Sequence, residues 1–345
     1  MAHPARQAIE TWGIRLVERG VRPLPRRVVL RLAAVLGRAA YHLLPGWRRI
    51  GRENLRIVAR RHAVPAGAER ILQRSCWHFA LTSLDMFWLE RLGPANFLEH
   101  VVIDVAEARA LAERQAAGVP IILICLHHGN WELLSTVYSL LGVRMNVVMQ
   151  PLKNPYLDAL VRRRRGTEGQ VLLDQRGSAG ALLRGLGAGR CPALVIDQNI
   201  KPIHGGVWVE FFGLPVPMSR AVGTLAARAE AEVYGLYGFA EADGRYRIGI
   251  GWRHTPPPRG PRERVADEVL AGAVAYMERT IARWPEPWLW MYKRWKYRYP
   301  GRESEYPAYS KAITWQHLPR HRLIAGGGDR GNWTDLTDRT DRTDR

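Results

Sequence analysis

The chain has 345 residues, 47% of them hydrophobic, so it can bury a large core in one domain or in a domain with an appendage. Fifty-one Lys and Arg against 32 Asp and Glu give a net charge of +19, which favours anionic partners. Three cysteines, Cys76, Cys125 and Cys191, are odd in number and far apart, which argues against a disulfide framework or a zinc site and favours reduced core residues.

Residues 1–98 have the pattern of a helical region. We expect no secretory signal, because residues 1–20 alternate charged and apolar groups, and no spanning helix, because no run of about 18 uncharged apolar residues occurs. The stretch "RRVVLRLAAVLGRAAYHLLPGWRRIGR" (26–52) has apolar residues at helical spacing, interrupted and followed by arginines. It fits a helix lying in a membrane interface and, equally, an amphipathic helix packed on the domain.

From about residue 100 the apolar pattern changes to alternating strands and helices. The predicted strands are 119–126, 145–150, 170–174 and 192–198, and the predicted helices between them are 130–142, 154–166 and 178–189. Strands that are apolar on both faces and alternate with helices indicate βαβ units. The predicted fold is therefore α/β, with a largely parallel central sheet flanked by helices and a helical N-terminal region.

The C-terminal half predicts further elements and an extension. Residues 205–217 have the pattern of a loop with a short strand, and a helix and a strand pair follow. A long helix is predicted from residue 265, running into an aromatic and basic turn at 285–298. We divide the chain into a helical region (1–98), an α/β domain (99–300) and an extension (301–345). The Thr-Asp-Arg repeats, which cannot form a core, predict disorder from about residue 326.

A chemically distinctive stretch, "CLHHGNWELL" (125–134), follows the first predicted strand. His127 and Glu132 are five positions apart, so on one continuous helix their side chains would diverge by about 140°. Gly129 permits a bend between them, and Asn130 is a suitable cap for the helix that follows. We therefore expect His127 at the carboxyl end of a parallel strand, with Glu132 fixing its tautomer so that it serves as a general base.

The sequence contains no nucleophile elbow, phosphate-binding loop or dinucleotide fingerprint. A base without an enzyme nucleophile fits direct attack by a substrate hydroxyl on an activated acyl group. The spacing of His127, His128 and Glu132 does not match a metal motif, so we expect no metal and no redox cofactor. A structural histidine is the alternative interpretation of His127.

"HHGNWE" resembles the His-x4-(Asp/Glu) motif of the glycerolipid acyltransferase superfamily, and in particular the bacterial lipid A late acyltransferases of the lauroyl/myristoyl type. Four other blocks match that family in order: 51–58, 150–165, 196–217 and 285–298. The sequence departs from the family's pattern at Gln150, where a basic residue is usual, at Glu210, where proline is usual, and at Tyr292, where histidine is usual.

The resemblance implies His127 as base with Glu132 as partner, and it brings four further residues toward the site. Arg164, from the run 162–165, would bind a phosphate or the acyl carbonyl. Asp197 and Gln198 would line the site at the end of a strand, and Asn154 would contact substrate or cap a helix. Three aromatic residues are candidates either for walls of an acyl tunnel or for the core: Trp208, Phe211 and Phe212.

The resemblance also implies a function. The protein would be a membrane-associated acyltransferase at the cytoplasmic face of a bacterial inner membrane, working in lipid A biosynthesis. It would take a fatty acyl group from acyl carrier protein or coenzyme A and pass it to a hydroxyl of an anionic lipid. Acylation of another glycolipid, such as a phosphatidylinositol mannoside, and hydrolysis of the thioester are alternatives. A non-catalytic basic binding protein is a distant one, and without a nucleic-acid-binding signature we expect no nucleic acid partner.

Overall fold

The computed structural model describes residues 4–62, 67–91, 93–165, 169–175, 177–255, 260–312 and 323–324. For residues 4–6 and 164–165 it describes the backbone alone. The segment in which the sequence predicts disorder, from about residue 326, lies outside the described residues.

Four helices form the N-terminal region: α1 (Pro4–Val21), α2 (Arg26–Leu43), α3 (Pro45–Ala59) and α4 (Ala68–Trp88). The stretch predicted as one helix over 26–52 is therefore two, α2 and α3, which meet at 87°. Pro45 explains the break, because proline disfavours helical dihedrals in the residue before it, and Leu44 has φ −112° and ψ 74°. None of the described helices is long and apolar enough to cross a membrane alone, although the bent pair passes that test together.

Helix α2 packs closely on α4. Its buried residues recur every four positions and form one face: Val29, Ala33, Gly37 and Tyr41. A Cβ at Gly37 would lie 2.7 Å from the Cα atom of Trp77, so only glycine permits this approach of the two helices. The buried face of α2 therefore packs against the rest of the protein, and the opposite face is exposed.

The central sheet has seven strands in the order β1-β9-β8-β2-β5-β3-β4. They are β1 (Val101–Val102), β2 (Ile121–Cys125), β3 (Met145–Met149), β4 (Gln170–Asp174), β5 (Cys191–Val195), β8 (Glu232–Ala240) and β9 (Tyr246–His254). All neighbours are parallel except β8 and β9. The flanking helices are α5 (Val105–Ala116), α6 (Trp131–Leu140), α7 (Pro155–Arg165), α8 (Ser178–Gly187), α9 (Ala221–Ala229) and α10 (Arg262–Arg283). The predicted α/β fold with a helical N-terminal region is confirmed.

A second, three-stranded sheet corrects the prediction for residues 205–217. Strands β6 (Gly206–Phe211) and β7 (Leu214–Ser219) form an antiparallel hairpin, and β10 (Leu323–Ile324) pairs with β6. Phe212 and Gly213 form a two-residue turn with φ angles of 50° and 73°. A turn with two positive φ angles usually contains Asn-Gly, so the phenylalanine concealed the hairpin in the sequence. Helix α10 ends at Arg283, shortly before Pro285, where the sequence predicts the aromatic and basic turn to begin.

The connections of β2 and β5 define where a ligand binds. The two strands are neighbours, yet the chain leaves β2 through α6 toward β3 and leaves β5 toward β8, on the opposite side of β2. Such a reversal opens a crevice at the carboxyl ends of the two strands, which is the usual ligand site in open α/β sheets. Residues 126–130 and 196–199 follow these strands.

Candidate active site

His127 lies at the carboxyl edge of the sheet. Strand β2 ends at Cys125, whose carbonyl accepts a hydrogen bond from the Ile196 backbone N–H at 3.1 Å. The parallel register aligns Cys125 with Val195, and the same offset places His127 opposite Asp197. The His127 side chain is 18% exposed, so its ring is held by the protein but still reachable from solvent.

The imidazole is hydrogen-bonded to a buried carboxylate. His127 Nδ1 lies 2.6 Å from Asp197 Oδ1, and the second oxygen, Oδ2, accepts from the His127 backbone N–H at 3.1 Å and from Trp288 Nε1 at 3.0 Å. Burial of Asp197 raises its pKa, but the charge and hydrogen bond of His127, the Trp288 hydrogen bond and the Arg294 charge outweigh it, so the net pKa is lowered. Asp197 is therefore an ionised acceptor that fixes the proton of His127 on Nδ1.

The second ring nitrogen of His127, Nε2, carries no proton in this arrangement and can act as a base. With the proton on Nδ1, the lone pair of Nε2 accepts a hydrogen bond from the Gln198 side-chain amide at 3.1 Å. The Trp131 ring packs edge-on against the imidazole, with 4.7 Å between ring centroids. A hydroxyl that displaced the Gln198 amide would present its proton directly to Nε2.

The carboxylate that is hydrogen-bonded to the imidazole is Asp197, whereas the sequence paired Glu132 with His127. The expectation was that Glu132 would contact the imidazole; in the structure, Asp197 holds Nδ1. Glu132 lies in the first turn of α6, where its Oε1 accepts from Trp131 Nε1 at 3.0 Å, and it lines a cleft between α4 and α6. The physical reason is strand register: the residue opposite His127 on a neighbouring strand reaches the ring directly, and a single sequence does not reveal which strands are neighbours.

The bend between strand and helix forms as predicted. Gly129 has φ 61°, and a Cβ there would lie 2.3 Å from the Gly238 carbonyl oxygen and 2.6 Å from Phe239 Cα. Asn130 caps α6 by accepting from the Leu133 N–H at 3.2 Å. The turn therefore requires glycine both for its dihedrals and for its close approach to β8.

His128 points away from the site into the protein. It is buried, and its Nε2 donates to the Trp284 carbonyl at 2.8 Å. Burial lowers the pKa of His128 from 6.5 to about 4, so the ring is neutral at physiological pH. The geometry gives His128 a structural role.

We expect this burial to make the protein less stable in mild acid. Between pH 6.5 and about 4 the unfolded chain protonates His128 while the folded protein does not, so stability is full above pH 6.5 and falls as the pH is lowered. The loss in the free energy of unfolding from this residue should be on the order of 2 kcal/mol at pH 5, measured by urea denaturation. His128→Gln should reduce the pH dependence and the matched exposed control, His42→Gln, should leave it unchanged; equal slopes for both variants would contradict the assignment.

A segment that follows α10, residues 284–294, forms the far wall of the site. Its backbone is hydrogen-bonded to the loop after β2, from Leu289 N–H to the His127 carbonyl at 3.1 Å and from Gly129 N–H to the Pro287 carbonyl at 2.9 Å. The Tyr292 hydroxyl accepts from the Asn199 backbone N–H at 3.1 Å. These contacts connect the segment to both strand ends.

The sequence did not single out Trp288, Asn199 or Arg294 as site residues. Trp288 and Arg294 lie in the aromatic and basic block 285–298 that resembles the family, and Asn199 directly follows the predicted pair Asp197 and Gln198 in the block 196–217. A side chain that supports a catalytic group through another side chain leaves no spacing signal of its own.

Among the remaining candidates, Asn154 and the three aromatic residues make structural contacts. Asn154 caps α7, accepting from Tyr156 N–H at 3.0 Å and Leu157 N–H at 3.1 Å, and its amide donates to Thr11 of α1 at 3.3 Å. Arg164 belongs to α7, but its side chain lies outside the described residues. The three aromatics of 205–217 are core residues: Trp208, Phe211 and Phe212.

Within the described ranges, no three His, Cys, Asp or Glu side chains are grouped as metal ligands would be. The arrangement is a histidine base at the carboxyl end of β2, with one ring nitrogen held by a buried aspartate and the other hydrogen-bonded to the Gln198 amide. It suits removal of a proton from a hydroxyl.

Comparison with known families agrees with this chemistry. A family model described as "Bacterial lipid A biosynthesis acyltransferase" matches residues 3–297, which is most of the chain. Comparison with individual curated proteins finds no match. The matched region contains α1 to α10, the His127 and Asp197 pair and the segment 284–294. The chain therefore belongs to the bacterial lipid A biosynthesis acyltransferase family and is an acyltransferase.

Proposed function

We propose that the protein transfers a fatty acyl group from a thioester, carried by acyl carrier protein or coenzyme A, to a hydroxyl of an anionic lipid at the cytoplasmic face of the inner membrane. The lipid A precursor is the first choice of acceptor. The observation that carries the proposal is the pairing of His127 with Asp197 at 2.6 Å, which leaves Nε2, hydrogen-bonded only to the Gln198 amide among the described residues, as the base.

The reaction follows from that geometry. Nε2 of His127 takes the proton of the acceptor hydroxyl as its oxygen attacks the thioester carbonyl, and Asp197 stabilises the imidazolium that forms. The tetrahedral intermediate collapses by breaking the carbon–sulfur bond. The imidazolium returns its proton to the departing thiolate, so the base is regenerated.

A cleft beside the site supports a long apolar substrate. It opens at Glu132 and Asn130 and runs between α4 and α6, with Met86 and Leu133 among its lining residues. The surface of the cleft is mostly apolar, and two of its lining residues, Asn130 and Glu132, follow His127 in the chain. A mostly apolar cleft close to a general base suits part of a hydrocarbon chain better than a polar substrate.

The exposed faces of the first two helices support contact with a membrane. Helices α1 and α2 present large apolar side chains to solvent: Ile9, Trp12, Leu16, Val35, Leu36 and Leu43. Exposed arginines border them: Arg15, Arg19, Arg27, Arg31 and Arg38. Apolar groups flanked by cations are typical of helices that lie in the interface of an anionic bilayer.

We expect Trp12→Asp with Val35→Asp to abolish most binding to vesicles that contain an anionic phospholipid. Replacing two apolar side chains that would be buried in the bilayer should weaken partitioning by at least about tenfold. Co-sedimentation measures it. Ile203→Asp is the matched control, because Ile203 is also exposed but lies outside α1 and α2; equal binding of the double variant and wild type would place the membrane contact elsewhere.

The test of the proposed function is transfer of a labelled acyl group to extracted membrane lipids, from acyl carrier protein and from coenzyme A in parallel. Wild type should form a labelled lipid, His127→Ala should not, and mass spectrometry of the product names the acceptor. Undiminished transfer by a folded His127→Ala variant would contradict the mechanism.

Two other outcomes distinguish the alternatives. A labelled product on an acceptor without phosphorylated glucosamine, such as a phosphatidylinositol mannoside, would assign the enzyme to another glycolipid. Release of free fatty acid as the sole product would show that water is the acceptor and that the enzyme is a thioesterase.

A further inference from the structure

Arg294 is an arginine without solvent contact, and it is only partly hydrogen-bonded. Its side chain is 0% exposed. One nitrogen, Nη1, donates to Asn199 Oδ1 at 2.9 Å, and the guanidinium carbon lies 4.8 Å from the centroid of the Phe211 ring. Nε and Nη2 are buried without a hydrogen-bond partner among the described residues. A guanidinium has five N–H groups, so most of its bonding capacity is unused.

Such a residue is unfavourable for stability. A buried charge loses its hydration, and burial lowers the pKa of Arg294 to about 10, so the group still carries its charge at neutral pH. Replacing a poorly satisfied buried charge by an apolar side chain of similar volume is often neutral or stabilising. Packing alone therefore gives no reason for an arginine at this position.

Arg294 lies close to the residues that hold Asp197, the partner of His127. Asn199, its hydrogen-bond partner, is two residues after Asp197, and Phe211 packs near Trp288, whose indole donates to Asp197. The interaction of the Arg294 charge with Asp197 lowers the pKa of that carboxyl.

Several titratable groups face Asp197 and Arg294 from the surrounding elements. They are His127 and His128 after β2, Tyr292 in the segment after α10, and Tyr309 farther along the chain. His128 is neutral because burial lowers its pKa to about 4, and burial raises the pKa of Tyr309, which is neutral as well. Arg294 is thus the permanent positive charge of this group at neutral pH.

We infer that Arg294 is a positioning residue for acyl transfer, whose buried charge holds Asp197 as the ionised partner of His127 in the resting enzyme. The inference rests on the proposed function. Arg294 touches neither substrate nor base; it acts through Asp197. Its contribution is to extend activity to lower pH, because a nearby positive charge opposes protonation of the Asp197 carboxylate.

The experiment is the pH profile of kcat/KM for acyl transfer in wild type, Arg294→Met and Arg294→Lys. In Arg294→Met the acid limb should move to higher pH by about one unit, the order expected for loss of a nearby unit charge in a protein interior. Activity above that limb should stay within a few-fold of wild type. Arg294→Lys, which keeps the charge, should restore the wild-type limb.

Arg298→Met is the matched control. Arg298 lies in the same part of the chain and also has a buried Nε without a hydrogen-bond partner among the described residues. Its Nη2, however, donates to the Ser310 carbonyl at 3.2 Å and not to a residue of the His127 site. Its pH profile should match wild type.

The outcomes separate a positioning role from a structural one. Thermal unfolding should show Arg294→Met folded and about as stable as wild type; a failure to fold, or a loss of activity equal at every pH, would overturn the inference in favour of a structural role. A profile superimposable on wild type would overturn it as well. Absence of acyl transfer by the wild-type enzyme would instead count against the proposed function.

Discussion

Asp197→Asn should lower kcat/KM for acyl transfer by roughly 10²–10⁴-fold while the protein stays folded. An amide in place of the carboxylate cannot stabilise the imidazolium, and if its NH₂ group faces Nδ1 it favours the tautomer with the proton on the wrong nitrogen, Nε2. Trp288 retains an acceptor in the remaining carbonyl oxygen, so the packing around the site is preserved. Steady-state kinetics with the labelled thioester measures the loss.

A partly buried carboxyl group outside the site serves as the control for that substitution. Glu278 of α10 accepts from the Phe212 backbone N–H, and burial raises its pKa to about 7. Glu278→Gln removes a carboxyl group but leaves His127 and Asp197 unchanged, so activity at neutral pH should stay within about threefold of wild type. Equal losses in the two variants, or full activity in Asp197→Asn, would contradict the role given to Asp197.

The largest effect on stability is expected from Asp85→Ala. Asp85 is fully buried in α4, where it accepts from Arg26 Nη1 at 2.6 Å and from the Tyr246 hydroxyl. Arg26 also donates to the Gly244 carbonyl at 2.9 Å, so the three residues connect α2, α4 and the β8–β9 hairpin. Removing the carboxylate leaves a mostly buried guanidinium without its counter-charge, which should cost about 3–5 kcal/mol of unfolding free energy.

An exposed ion pair provides the comparison. Arg264 and Glu268 lie one turn apart on α10, 3.6 Å from each other and largely exposed. Glu268→Ala should change the unfolding free energy by less than about 1 kcal/mol when both variants are measured by urea denaturation. A cost for Asp85→Ala as small as that of Glu268→Ala would show that α2 is not held to the sheet by this pair.

The local features of the fold were predictable from the sequence, and the long-range ones were not. Periodicity gave β2, α6 and β3 within a few residues, and the capping role of Asn130 followed from residue chemistry alone. Strand order depends on packing between distant segments, which no local pattern encodes. The hairpin at Phe212 was missed because its turn uses an unusual residue in a left-handed conformation.

The same distinction applies to the site. His127 could be identified because a strand end, a glycine and a helix cap lie next to each other in the sequence. Its carboxylate partner could not, because Asp197 is 70 positions away and reaches the ring through the pairing of β2 with β5. Asp197 and Gln198 were proposed to line the site, but hydrogen bonds to the two sides of one imidazole could be assigned only from coordinates.

The Gln198 amide bears on how such an enzyme could avoid hydrolysing its thioester donor. In the resting arrangement the lone pair of Nε2 is occupied by this amide at 3.1 Å, so an incoming molecule must compete for it. A lone water offers the base one hydrogen bond in exchange for the one it breaks, which is no net gain. In the proposed reaction a lipid alcohol would also be anchored by its chains and headgroup, and these contacts, which water lacks, would offset the cost of displacing the amide. Selectivity for alcohol over water would then arise before any bond to the acyl carbon forms.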